Sequence, residues 1–403
     1  MRAVTAQPPP ARQLWHDGLT GNARRIAEAL RSRGGSTRAE LIAATGLSRP
    51  TVSATLGELA SDGLVAEGAR TAGALGGRPA AVIRLTRSAG LSVGVDIGRR
   101  HVRVAVADLG HEVLAERSRR LPVNAEERPV EILNGAAAMV RSALDDLAAG
   151  ANAVVGAGLG IPAPITIEGR IGSPNLLPAW APLAPAEELA ARIGTPVWVD
   201  NDANLGALGE YLWGNGRGCA VLVYIKLGTG IGSGILLGGR LFRGSIGTAG
   251  EIGHITLDAR GPVCRCGNRG CVELTVGGRA LLEHAERAHP DIGGLADLVA
   301  KAQAGDPGCR RLLSDAGTSL GIALGGLVNL FNPERIVLGG DLGPAEFMIE
   351  AVRRGLADTG MPAAVGAVGV VPAALGERAA ALGGVALVLK ATEHATSHFA
   401  AVP

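Results

Sequence analysis

Aromatic side chains are scarce: four Phe, four Trp and two Tyr make up 2% of 403 residues. Ala, Val and Leu must therefore do most of the packing, and 61 glycines imply many tight turns and close backbone approaches. Cysteine is scarce too. Five residues suit free or metal-bound thiols in a reducing compartment better than a disulfide framework. Long apolar runs are absent. The start, MRAVTAQPPPARQLW, has no apolar signal-peptide core. The most apolar later stretch, CAVLVYIKLGTGIGSGILLGG, is broken by Lys226 and several glycines and suits buried strands. A cytoplasmic protein without membrane contact is expected. With 47% hydrophobic and 19% charged residues, wholesale disorder is excluded, and the length suggests two or three domains.

The formal charge of +2 hides an asymmetry. Residues 1–90 carry twelve Arg against six acids, while the remainder is slightly acidic. Such a division points to a nucleic-acid-facing N-terminal part on a near-neutral body. Residues 1–19, with a PPP run and no periodicity, read as a flexible tail. From Asn22 the pattern turns helical, stops at Gly34–Gly35, resumes as TRAELIAATG, and resumes again as LSRPTVSATLGELASDGLV. In the last segment Ser48 suits an N-cap, Pro50 the first turn, and Val52, Leu56 and Leu59 share one face. Two strand-like runs then flank the loop GARTAGALGGRPA. Residues 20–87 therefore read as a winged helix-turn-helix that places Arg49, Thr51 and Ser53 toward a major groove. Arg78 in the wing suits a minor groove. A three-helix protein-interaction module is the alternative.

From Leu91 the chain becomes strand-rich, and the theme repeats in the second half. Strand-like runs followed by helical stretches, twice over, imply a duplicated α/β body with a cleft between lobes. Three glycine turns end strands: Asp96 to Gly98; Gly228, Thr229 and Gly230; and Gly339–Gly340. Their backbone N–H groups are suited to anions. In GHITLDARGPVCRCGNRGCVE, His254, Cys264, Cys266 and Cys271 offer one imidazole and three thiols, a set suited to tetrahedral zinc. Unrelated reduced thiols are the bland alternative. Asp202, in DNDAN, suits either a helix cap or a general base.

The runs VGVDIG, GLGIPAPI, SPNLLPAW, VDNDANLGALGE, KLGTGIGSGI, GTAGEIGH, CRCGNRGCVE and IVLGG resemble the ROK family of repressors, open reading frames and kinases. The resemblance covers nearly all of residues 91–390, and the winged helix matches the family's regulator branch. It implies a duplicated actin-like, ribonuclease-H-like ATPase fold over residues 88–395, with a structural zinc. It also implies that Asn175, Asn201, Glu251, His254 and Glu273 contact a sugar, and that Asp202 would be the general base in a kinase. The first phosphate loop departs from the kinase pattern, because Arg99, Arg100 and His101 follow Gly98. ATP use is therefore not expected, although the second loop is intact. The resemblance ranks a non-catalytic, sugar-responsive repressor above a hexose or N-acetylhexosamine kinase with a DNA-binding appendage. Its partners would be a double-stranded operator, a sugar or sugar-phosphate effector, and a second copy of itself in a homodimer or larger assembly.

Overall fold

The computed structural model describes residues 11–71, 80–122 and 124–393. Two five-stranded sheets form the body. The first comprises β3 (Leu91–Gly98), β4 (His101–Asp108), β5 (Val113–Arg120), β6 (Val154–Ile161) and β7 (Val197–Asn201), in the order β5-β4-β3-β6-β7. The second comprises β8 (Val221–Leu227), β9 (Ile231–Leu237), β10 (Arg240–Leu241), β11 (Arg335–Gly339) and β12 (Gly369–Pro372), in the order β10-β9-β8-β11-β12. In each sheet three antiparallel neighbours are followed by two parallel ones, so the expected duplication is real. β3 and β6 are buried along their whole length, which explains their continuous apolar runs.

Two central helices pack on each other, Ala379–Glu393 lying on the first sheet and Asp202–Trp213 mainly on β8 and β9 of the second. Glycine makes this possible. A Cβ at Gly383 would collide with the Leu205 carbonyl, and one at Gly94 would collide with the Ala381 carbonyl. Among the described residues, no helix is long and apolar enough to cross a membrane.

The N-terminal unit has helices Gly21–Arg33, Arg38–Thr45 and Arg49–Ser61, followed by the antiparallel strands β1 (Val65–Thr71) and β2 (Ala80–Leu85). Local chemistry sets each boundary. Thr37 and Glu40 form a reciprocal capping box, Gly46 closes the second helix in the left-handed region, and the Ser48 hydroxyl accepts from Thr51 N. Val52, Leu56 and Leu59 are buried, leaving Arg49 and Ser53 exposed and Thr51 half-exposed. Arg78 and residues 1–10 lie outside the described residues.

Residues 11–19, expected as part of a flexible tail, are folded instead. Ala11–Gln13 is a helical turn that continues as a π-turn through Gly18. Trp15 Nε1 donates to the Ala89 carbonyl at 2.7 Å, and Ala11 and Leu19 are buried. No periodicity betrays this turn, because tertiary contacts rather than an amphipathic stripe hold it. Its apolar cluster runs from Leu30 and Leu59 through Leu109 to Val385 and Leu389, so the winged helix shares its core with the body.

Candidate functional site

The cysteine loop folds back as its glycines suggest. Gly267 and Gly270 have φ of 97° and 56°, and a Cβ at Gly270 would run into the Asp258 carbonyl. The result brings the ligand atoms of His254, Cys264, Cys266 and Cys271 within 4.8 Å of one another. Cys264 Sγ lies 3.7 Å from His254 Nδ1, and Cys266 Sγ lies 3.7 Å from Cys271 Sγ. A tetrahedral zinc site with bonds of about 2.3 Å has edges of about 3.8 Å, so the donor set fits that ion in identity and spacing. Burial, reinforced by the neighbouring thiols, pushes Cys271 up to about 12, and burial likewise raises Cys264. An ion entering this site would displace thiol protons.

Between Cys264 and Cys266, Arg265 turns toward the cleft. Its Nε donates to Glu273 Oε1 at 3.0 Å, and its Nη1 lies 3.7 Å from Glu126 Oε1 of the first lobe. Glu273 Oε2 in turn accepts from Ile231 N at 3.2 Å. The carboxylate lies close over Gly230, where a Cβ would meet it and shift it. Glu251 stands near Asp202 and Glu273. Burial first, and those two carboxylates second, push its carboxyl up to about 7, poising it to donate or accept a hydrogen bond. His254 Nε2 is 4.0 Å from Glu251 Oε2, and burial pushes the imidazole down. The metal-type cluster and the carboxylates are thus one continuous structure.

At the end of β7, Asn201 caps helix Asp202–Trp213. Its Oδ1 accepts from Ala203 N and Asn204 N, and its Nδ2 donates to the Ala163 carbonyl at 3.0 Å. Much of its polar capacity is therefore spent on the scaffold. Asp202 is 6% exposed and takes a hydrogen bond from Lys226 Nζ at 2.7 Å. Burial opposes the Lys226 charge, but Asp202 and Asp96 outweigh it and hold the ammonium above its ordinary range. Asn175 is exposed in a turn and forms no side-chain hydrogen bond with this cluster.

The glycine turns are where the sequence places them, but they are not equivalent. Gly228 and Thr229 offer their carbonyls to Gly278 N and Arg279 N. Gly339 packs on Tyr224 and Gly340 on Leu227, so the second and third turns are neighbours. The first turn is a closed two-residue hairpin. The His101 ring lies over Gly98, where even a Cβ would not fit, and its Nε2 is 2.9 Å from Asp96 Oδ2. Arg99 reaches away to Glu126 at 2.8 Å, and Arg100 is exposed. Burial alone would raise Asp96, yet Lys226, His101 and Arg103 bring it down to about 2. His101, rather than the arginines, is what covers this loop. The roles of Lys226 and Arg265 are not legible in the sequence, because their partners Asp202 and Glu126 are distant in the chain.

A two-lobed body of this topology with a cleft between its sheets, preceded by a winged helix, defines a sugar-kinase-type fold joined to a DNA-binding module. The description "ROK family" matches residues 92–391, and "MarR family" matches residues 17–74. The chain belongs to the ROK family. It is 30% identical to the xylose repressor of Bacillus subtilis (strain 168), over 88% of this chain and 91% of that protein. It is 34% identical to the glucokinase of Thermotoga maritima, over 57% of this chain and 78% of that one. Among solved structures, a ROK family transcriptional regulator homologous to the E. coli MLC protein shares the fold, with a TM-score of 0.71 at 24% identity. That match covers 92% of this chain and 96% of the other. A ROK hexokinase from Thermus thermophilus matches with a TM-score of 0.60 at 33% identity, over 74% and 97%.

Proposed function

We propose that the protein is a sugar-responsive transcriptional repressor that acts in the cytoplasm. The observation that carries this function is the joining of two parts in one chain. An exposed recognition helix starting at Arg49 sits on a core continuous with a body whose cleft collects Asp202, Glu251, His254 and Glu273. Those four residues, with Asn175 and Asn201, are assigned to the sugar. Neutral hydroxyls suit Glu251, whose carboxyl burial pushes up to about 7. The Cys₃His cluster holds a structural zinc, which fixes Arg265 and Glu273 at the pocket wall.

Arg49, Thr51 and Ser53 are assigned to the operator, with Arg78 of the wing alongside. A two-fold operator calls for a homodimer. Ile322, Leu330 and Met361 are large apolar residues left exposed in the single chain. The xylose repressors among its relatives make D-xylose the first effector to test. The kinase alternative has one observation in its favour, the intact second glycine turn. The covered first turn opposes it. Operator binding by the full chain, with and without D-xylose, D-glucose and N-acetylglucosamine, tests the proposal. One of these sugars is expected to weaken binding. Release of ADP from ATP and sugar, with no change in DNA binding, would favour the kinase.

A further inference from the structure

We propose a second metal site, in the second lobe and separate from the cysteine loop. His289, Asp306 and Cys309 form a three-donor seat for a zinc-type divalent ion, with the fourth position open to water.

Two segments bring the donors together. His289 follows helix Gly278–Ala285, and its backbone is held on both sides. Its N–H donates to the Ala285 carbonyl, and its own carbonyl accepts from the N–H of buried Ile292. Asp306 and Cys309 open the long helix Pro307–Phe331, with Asp306 as its N-cap. The ligand atoms of all three side chains lie within 4.8 Å of one another. Asp306 Oδ1 accepts from Cys309 N at 2.8 Å, which leaves Oδ2 turned to His289, 3.3 Å from its Nε2.

That last spacing suits two ligands better than a donor and its acceptor. An imidazole nitrogen and a carboxylate oxygen, each about 2.0–2.1 Å from a tetrahedral zinc, stand about 3.3–3.4 Å apart. An N–H···O bond prefers about 2.9 Å. Cys309 is 2% exposed and closes the site from the core side. His289 and Asp306 keep 25% and 27% of their side chains exposed, which gives an ion a way in and a water a place beside it. The neighbouring cations already have partners. Lys301 Nζ pairs with Asp291 at 2.8 Å, and Arg310 Nε donates to the Ala302 carbonyl at 2.7 Å. Burial first, and Asp306 second, push the Cys309 thiol up, so an ion binding here releases its proton. Thiolate, imidazole and carboxylate together suit zinc or cobalt. With three protein donors rather than four, this seat exchanges its ion and fills after the cysteine loop. A bound ion would tie His289 to the start of helix Pro307–Phe331.

Equilibrium dialysis of the full chain against buffered free zinc, followed by elemental analysis, reads the site. Zinc should rise from about one to about two per chain as the open seat fills. The second equivalent should also raise the melting temperature. Asp306→Asn keeps an oxygen for the helix cap but gives up the charged donor. It should weaken the second equivalent at least about tenfold while leaving the melting temperature without added zinc nearly unchanged. His289→Gln should weaken it as much. Cobalt added as the second equivalent should give a sulfur-to-metal absorption band in the wild type that Cys309→Ser lacks. Retention of the first zinc shows that a variant is folded, and the asparagine and glutamine variants serve if the serine one is not. A second equivalent that binds equally well in these folded variants is adventitious binding elsewhere and overturns the site. So does a wild-type chain that stays at about one zinc at saturation.

Discussion

Cys266 and Cys271 are residues whose role is written in their immediate neighbourhood. Their spacing from Cys264 and His254 is local, and the glycines that bend the loop stand beside them. The ligand atoms accordingly gather where the sequence suggests. Arg265 stands in the same loop, yet nothing in its surroundings announces that it will span the cleft to Glu273 and Glu126. Lys226 is hidden in the same way, inside an apolar strand. The place of His101 after Gly98 invites suspicion, but only the hairpin geometry distinguishes it from the two arginines. For the metal, elemental analysis of protein purified without added metal should give about one zinc per chain. Cys266→Ser should lose most of it, melt at a lower temperature and respond more weakly to sugar. A fully folded, metal-free wild-type protein would contradict the zinc assignment.

Helix Asp202–Trp213 extends the site into an element. It starts at the Asn201 cap beside Asp202 and runs about 18 Å. At its far end, Trp213 Nε1 donates to the His111 carbonyl at 3.2 Å, and the two rings meet edge-on. His111 Nε2 lies 2.6 Å from the Arg31 carbonyl at the end of the winged helix's first helix. The Arg31 guanidinium covers the Trp15 ring at 4.5 Å. The helix thus links Asp202 to the DNA-binding unit, through contacts between segments distant in the chain and so not legible in the sequence. Trp213→Ala should leave sugar affinity and unliganded operator affinity nearly unchanged. It should reduce the coupling between them by about 1 kcal/mol, measured as the sugar-induced change in operator affinity.

The same junction carries a pH signature. Burial, only partly offset by the Arg31 carbonyl, lowers His111 to about 4, whereas an unfolded imidazole titrates near about 6.5. The unfolded chain takes up this proton first, so folded stability falls as pH drops through that window and is not affected above it. Between these two pH values, melting temperature should fall less steeply in His111→Gln than in the wild type. Parallel curves would remove His111 from the account.

At the scale of the molecule, the duplication is legible as repeated strand-then-helix patterns, and the winged helix as three capped helices before a hairpin. The order of strands within each sheet is not. β10 flanks β9 while β11 pairs with β8, and only long-range register decides that. The continuity between the winged helix and the body is equally hidden, because Leu30, Leu109 and Val385 come from three distant segments. In the proposed function that continuity carries the coupling, since an effector that favours one lobe arrangement would also bias the unit packed against it. Fluorescence anisotropy of the full chain on a duplex selected by it from a random-sequence pool tests this most directly, titrated with and without D-xylose and repeated with Asp202→Asn. The account predicts that the sugar weakens wild-type binding by about tenfold or more, within the usual range of allosteric coupling. The variant should bind the unliganded duplex normally and ignore the sugar. A wild-type protein whose operator affinity is the same with D-xylose, D-glucose and N-acetylglucosamine as without them would contradict it.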